Sequence, residues 1–268
     1  RSRTMESIEE EARGLVENGA KELILIAQDT TRYGIDLYGE YSLAKLMRRL
    51  CKIDGLKWLR VLYCYPDALT DELLETMAEE EKIVKYIDLQ HASARVLKRM
   101  NRTGDRESLT ALMKKIREKI PGVTLRTTFI TGFPGETEEE FTELAEFVKD
   151  IEFERLGCFA YSQEEGTPAA LMPDQIDDEV KNHRAEIIME SQMNIMDRLG
   201  EKQVGGDITV LTEGFDRYAE CWFGRSEGDA PDIDGKVFFS AETKPYYGEM
   251  VTVHVDEAID GDLFGTRV

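Results

Sequence analysis

TTFITGFPGETEEEF, residues 127–141, decides how the chain is read. A β-rich run ends in Gly132, Phe133, Pro134 and Gly135. Thr137 followed three residues later by Glu140 has capping-box spacing, which predicts a helix from about Glu138, and Phe141, Leu144 and Val148 mark its buried face. Glycines at such a strand-to-helix turn let backbone approach a bound molecule closely. Phosphate is a poor candidate, because no Lys-Ser/Thr follows the turn and Glu136 and Glu138 to Glu140 repel anions. Glu136 is placed to accept hydrogen bonds from a cationic or amine-bearing ligand; the same spacing also describes a plain turn with a solvated helix start.

Outward from this unit the pattern repeats. Met5, Ile8, Ala12, Leu15 and Val16 have helical spacing and precede the apolar strand Leu23 to Ala27. Helices are predicted at 42–51, 70–80, 105–120, 138–150 and 177–199, and strands at 58–64, 83–89, 123–130 and 155–161. Continuous apolar strands separated by amphipathic helices indicate a parallel sheet covered by helices, hence a β/α architecture, open or barrel-like, over residues 1–200. From 201 to 268 short alternating segments (207–212, 218–223, 236–240, 250–255) lie between Gly, Asp and Pro turns and predict a second, all-β domain, a small barrel.

The chain has 268 residues and a formal charge of −20. That charge opposes broad affinity for nucleic-acid phosphates and favours a basic partner. Residues 201–268 carry 15 acids against 6 basic side chains, a balance of −9. No apolar run approaches the roughly 20 residues a membrane helix needs, so a cytoplasmic location is expected. Cys51, Cys64, Cys158 and Cys221 form no CxxC pair and suggest neither a disulfide framework nor zinc.

Ligands of β/α folds lie at the C-terminal ends of the strands. Here those ends carry Gln28-Asp29-Thr30, Tyr63-Cys64-Tyr65, Gln90-His91, Thr131-Gly132 and Tyr161-Ser162. Arg126 and Thr128, two apart in an apolar strand, point the same way, and a buried Arg126 needs either an anionic ligand or an internal carboxylate. His183 and His254 read as ordinary structural residues. No strand end offers a Schiff-base lysine, which sets aside an aldolase-like reaction.

Several colinear segments, ILIAQDTTRYG (24–34), LQHASARVLKRMNR (89–102), LRTTFITGFPGETEEEF (125–141), GCFAYSQEEGTPA (157–169), GRSEGDAPDIDG (224–235) and DLFGTRV (262–268), resemble the radical S-adenosylmethionine methylthiotransferases. The likeness spans essentially the whole chain. QHAS at 90–93 and AQDTTRYG at 27–34 resemble the branch that methylthiolates an aspartate of small-subunit ribosomal protein S twelve, where the tRNA-modifying branch has a QSGS-like stretch. The resemblance implies a partial radical-SAM-type barrel followed by a TRAM-like barrel that docks the substrate. It places Gln28 and Asp29 near the amino group of S-adenosylmethionine, Gln90 and His91 near the ribose, Arg126 at the carboxylate, Thr128 among the cofactor-binding residues, and Thr131, Gly132, Phe133, Pro134, Gly135 and Glu136 along the adenosine. It also implies two 4Fe-4S clusters, an electron donor and a basic protein substrate. A tRNA substrate, or an RNA-binding role of the β domain, is the alternative.

Two departures qualify that likeness. None of the four cysteines has the CxxxCxxC spacing that holds the family's radical-generating cluster, and the opening RSR resembles residues just downstream of that loop, so the chain is expected to lack cluster ligands and to be inactive alone. At YIDLQHAS (86–93) the family has about two more residues, including a proline.

Overall fold

The computed structural model describes residues 1–84, 86–89 and 93–268. Gln90 and His91, two of the expected ligand contacts, lie outside the described residues. The first part alternates helices α1 (Met5–Glu17), α2 (Ile35–Tyr38), α3 (Leu43–Cys51), α4 (Asp71–Glu79), α5 (Ala94–Arg99), α6 (Arg106–Lys119), α7 (Glu138–Ile151) and α8 (Asp178–Glu201) with strands β1 (Glu22–Leu25), β2 (Trp58–Val61), β3 (Tyr86–Leu89), β4 (Thr124–Thr131) and β5 (Arg155–Ala160). Strands β1 and β2 pair in parallel, as do β3, β4 and β5, and a parallel bridge from Leu59 to Ile83 joins the two sheets in the order of the chain. A curved, incompletely closed β/α barrel results.

Sequence explains the elements locally. Thr137 caps α7 by accepting from the Glu140 N–H at 3.3 Å, and the Glu140 carboxylate accepts from the Thr137 N–H at 2.9 Å, which is the expected capping box. Along β4 the pleat turns Leu125, Thr127, Phe129 and Thr131 toward the helices and Arg126, Thr128 and Ile130 to the opposite, concave face. Phe129 meets Phe147 of α7 and Phe153 edge-on at 6.4 and 5.8 Å, inside one core that runs from α1 to α8. Fully burying such a ring contributes on the order of 1.5–3 kcal/mol.

Five strands, β6 (Asp207–Asp216), β7 (Cys221–Ser226), β8 (Val237–Ser240), β9 (Met250–Ile259) and β10 (Asp262–Arg267), close a second barrel in the order β10-β8-β7-β6-β9. Closure leaves no unpaired sheet edge. Strand β10, not anticipated as a strand, pairs with both β8 and β9 and completes that closure. The segment expected as strand 218–223 begins only at Cys221, because the Asp216 carboxylate accepts from the Tyr218 and Ala219 N–H groups and holds 216–219 in a turn. Helices α2 and α5 were also not anticipated; at four and six residues they are too short for a helical period to register.

The β-barrel docks on the N-terminal ends of the parallel strands. Glu22, the first residue of β1, accepts from Arg60 of β2 at 2.8 Å and from Arg225 of β7 at 2.6 Å, and all three side chains are buried. Arg155, which opens β5, pairs with buried Asp229. Trp58 and Val84 pack against Leu211 and Ala230. The C-terminal mouth lies at the opposite end of these strands.

Candidate functional site

After β1 the chain turns across the mouth. Thr30 donates from its N–H to the Tyr63 carbonyl at 3.1 Å and from its hydroxyl to the Leu62 carbonyl at 2.7 Å, so the end of β1 is tied to the end of β2. Asp29 accepts from Arg32 Nε at 2.8 Å and from the Thr31 hydroxyl, and Arg32 reaches on to Asp67. Gln28 and Ile26 stay exposed. Gln28 and Asp29 line a cleft of about 580 Å³ with Arg1, Arg3, Tyr33 and Asp36.

The glycine turn is held from within. Glu136 N–H donates to the Phe133 carbonyl at 2.8 Å, closing the turn, and Gly132 N–H donates to Glu136 Oε1 at 3.0 Å. Arg184, from α8, donates to the same Oε1 at 2.8 Å and reaches Glu138 at 2.9 Å. Glu136 has 1% of its side chain exposed, so the carboxylate that the sequence offered to a ligand faces inward and clamps the turn. Burial raises its pKa, against the pull of the Gly132 N–H and of Arg184. Thr131 is also buried and donates from its hydroxyl to the Lys181 carbonyl at 3.1 Å. Gly132 needs to be glycine twice over: its φ is +70°, and a Cβ there would stand 2.1 Å from Lys181 Cβ. Arg184 and Lys181 were missed in the sequence, where α8 read as core packing; only the fold brings them 45 or more residues back to the turn.

Beside the turn, Thr128, Ile130 and Phe133 border a second cavity of about 410 Å³, closed by Arg99, Arg102, Pro168 and Met172. Phe133 meets Tyr161 edge-on at 5.3 Å. Thr128 and Phe133 border this cavity, Gln28 and Asp29 border the other, and Thr131 and Glu136 are buried behind the turn. Arg126 borders neither. It lies near the start of β4, side chain 13% exposed, with Asp234 of the β-barrel 3.8 Å away, so of the two partners the sequence left open the structure supplies the internal carboxylate.

The cysteines do not fit an iron–sulfur cluster. Burial pushes the thiols of Cys51 and Cys158 up to about 11 and about 12, and clusters are held by thiolates. Among the described residues no three His, Cys, Asp or Glu side chains are grouped to hold a metal ion, and no helix is long and apolar enough to cross a membrane.

With this geometry stand three findings from known proteins. The chain belongs to the radical SAM superfamily, whose profile matches residues 1–148, and the TRAM domain profile matches residues 204–268. Among curated proteins it is 49% identical, over 99% of its length, to the ribosomal protein uS12 methylthiotransferase RimO of Desulforamulus reducens. It is 51% identical over 99% of its length to the protein of the same name from Caldanaerobacter subterraneus subsp. tengcongensis. The chain spans 60% and 61% of the lengths of these relatives. Among solved structures, coproporphyrinogen III oxidase from Escherichia coli aligns with a TM-score of 0.49 at 17% identity, over 73% of this chain and 45% of that one.

Proposed function

We propose that these residues form the S-adenosylmethionine-binding barrel and β-barrel of a methylthiotransferase that modifies an aspartate of small-subunit ribosomal protein S twelve. The observation that carries this reading is identity of 49–51% across 99% of the chain to relatives bearing that name. The division near Gly200, a cytoplasmic location and an external electron donor belong to the same reading.

The mouth suits the cofactor chemically. Exposed Gln28 and partly exposed Asp29 can receive an ammonium group, and the apolar surface of Ile130 and Phe133 suits a flat nucleoside. Bound there, S-adenosylmethionine would supply both the hydrogen-abstracting fragment and the methyl group. The residues of this chain bind and orient it: Glu136 and Arg184 fix the glycine turn, and Thr30 fixes the loop that presents Gln28 and Asp29. The relatives are longer than this chain, and we assign the cluster ligands to their additional length. The β-barrel's balance of −9 favours a basic protein over RNA.

The test is mass spectrometry of ribosomal proteins and tRNA from cells lacking the gene for this chain, with and without its return. Loss of the methylthio group from the ribosomal protein, restored on complementation, is expected. Its retention together with loss of a tRNA methylthio group would overturn the assignment.

A further inference from the structure

The chain holds 54 acidic and 34 basic residues, and its buried and half-buried arginines mostly have carboxylates within 3 Å. Arg99 and Arg102 are exceptions. Neither has a carboxylate within ion-pair distance among the described residues, and both face the 410 Å³ cavity beside the glycine turn. Among the described residues Arg99 Nε is buried without a hydrogen-bond partner, and one Nη meets only Met172 Sδ, at 3.9 Å. Arg102 lies over the Tyr65 ring at 4.3 Å.

The guanidinium of Arg99 is placed rather than loose. Helix α5 is anchored to α7 and to the turn by Arg95, which donates to Glu140 Oε1 at 2.6 Å and to the Gly135 carbonyl. Gly135 leaves room for Arg99: a Cβ there would stand 2.7 Å from its Nη1. A cation held in a cavity whose wall is mainly Ile130, Phe133, Pro168, Ala169 and Met172 is poorly solvated and gains most from a planar anion that accepts two parallel N–H bonds. Glu138 and Glu140 at the neighbouring helix start are already paired with Arg184 and Arg95, and the aspartate of the proposed reaction supplies a carboxylate of that shape.

Resting on the proposed function, we propose that Arg99, with Arg102 beside it, receives the side-chain carboxylate of the substrate aspartate and so selects aspartate over asparagine. Two carboxylates are available in that reaction, the substrate's and the methionyl carboxylate of S-adenosylmethionine, and the experiment separates them. Full-length protein reconstituted with iron and sulfide, wild type, Arg99→Met and Arg99→Lys, is given peptides bearing the target aspartate or asparagine in its place. KM for the aspartate peptide rises by roughly 30-fold or more in Arg99→Met, as for loss of one partner of a desolvated ion pair, and Arg99→Lys recovers part of it. Peptide-independent cleavage of S-adenosylmethionine, followed alongside, changes far less than the peptide KM. A selective loss of S-adenosylmethionine affinity, or an unaltered KM, overturns the assignment. Wild-type protein that cleaves S-adenosylmethionine yet never modifies the peptide sinks the proposed function instead; fluorescence anisotropy of the two peptides on wild type and Arg99→Met then decides the carboxylate site, and equal affinities overturn it.

Discussion

The two ends of one parallel sheet are finished differently. At the base, where the strands begin, Glu22 is shared by Arg60 and Arg225, Arg155 meets Asp229, and Arg126 faces Asp234. Charges there are buried and answered from within the chain, under a closed β-barrel. At the mouth Ile26 and Phe159 are 66% and 64% exposed, Tyr63 has a φ of +57°, and Arg99 has no carboxylate partner among the described residues. Apolar surface left in water and a cation left without its anion are costs that a purely structural end would not retain. The comparison separates charge that holds the protein together from charge placed to meet something else.

The largest effect should come from breaking the base. Glu22→Ala removes a buried carboxylate shared by two buried guanidiniums, leaving Arg225 with Glu213, and should cost about 3 kcal/mol in urea unfolding; a loss below about 1 kcal/mol would mean the base network is not what fixes the β-barrel. Next, Gly132→Ala at the mouth should cost about 2 kcal/mol, from the positive φ and the overlap with Lys181, and a neutral result would show that the turn yields freely. Glu136 sharpens the contrast through pH. Its folded pKa is raised, so its contribution is present in full below the ordinary glutamate range and declines as pH rises through the raised value. The stability of wild type relative to Glu136→Gln should accordingly fall with rising pH across that interval, and a rising difference would reverse the assignment. Smallest of all, Phe159→Ser should change stability by no more than about 0.5 kcal/mol, as for an exposed site; a loss above about 2 kcal/mol would show that the mouth is part of the core.

Much of the fold is legible in the sequence. The alternation of apolar strands with amphipathic helices gave the β/α order because burial imposes periods of 2 and 3.6 on the chain, and the Thr137–Glu140 cap and Gly132 to Gly135 turn are local devices whose residues lie within reach of each other in sequence. Where the reading stopped short, the determinant was distant. For Arg126 the sequence left a ligand or an internal carboxylate open, and Asp234, which the fold brings to 3.8 Å, is 108 residues away. Glu136 looked like a ligand acceptor until Arg184 folded back onto it. Strand β10 has its hydrogen-bond partners on β8 and β9, and pairing of that kind is invisible to a window of neighbours.

By itself, then, the sequence determined the fold class, the placing of the glycine turn at a strand end and the likeness to methylthiotransferases, all of which rest on short-range periodicity, capping and colinear motifs. Only the tertiary structure decided which charged groups cancel each other and which remain to bind. Electrostatic and hydrogen-bond satisfaction depends on distances of a few ångströms between residues far apart in the chain, and those distances exist only once the β-barrel has closed the base and α8 has locked the turn.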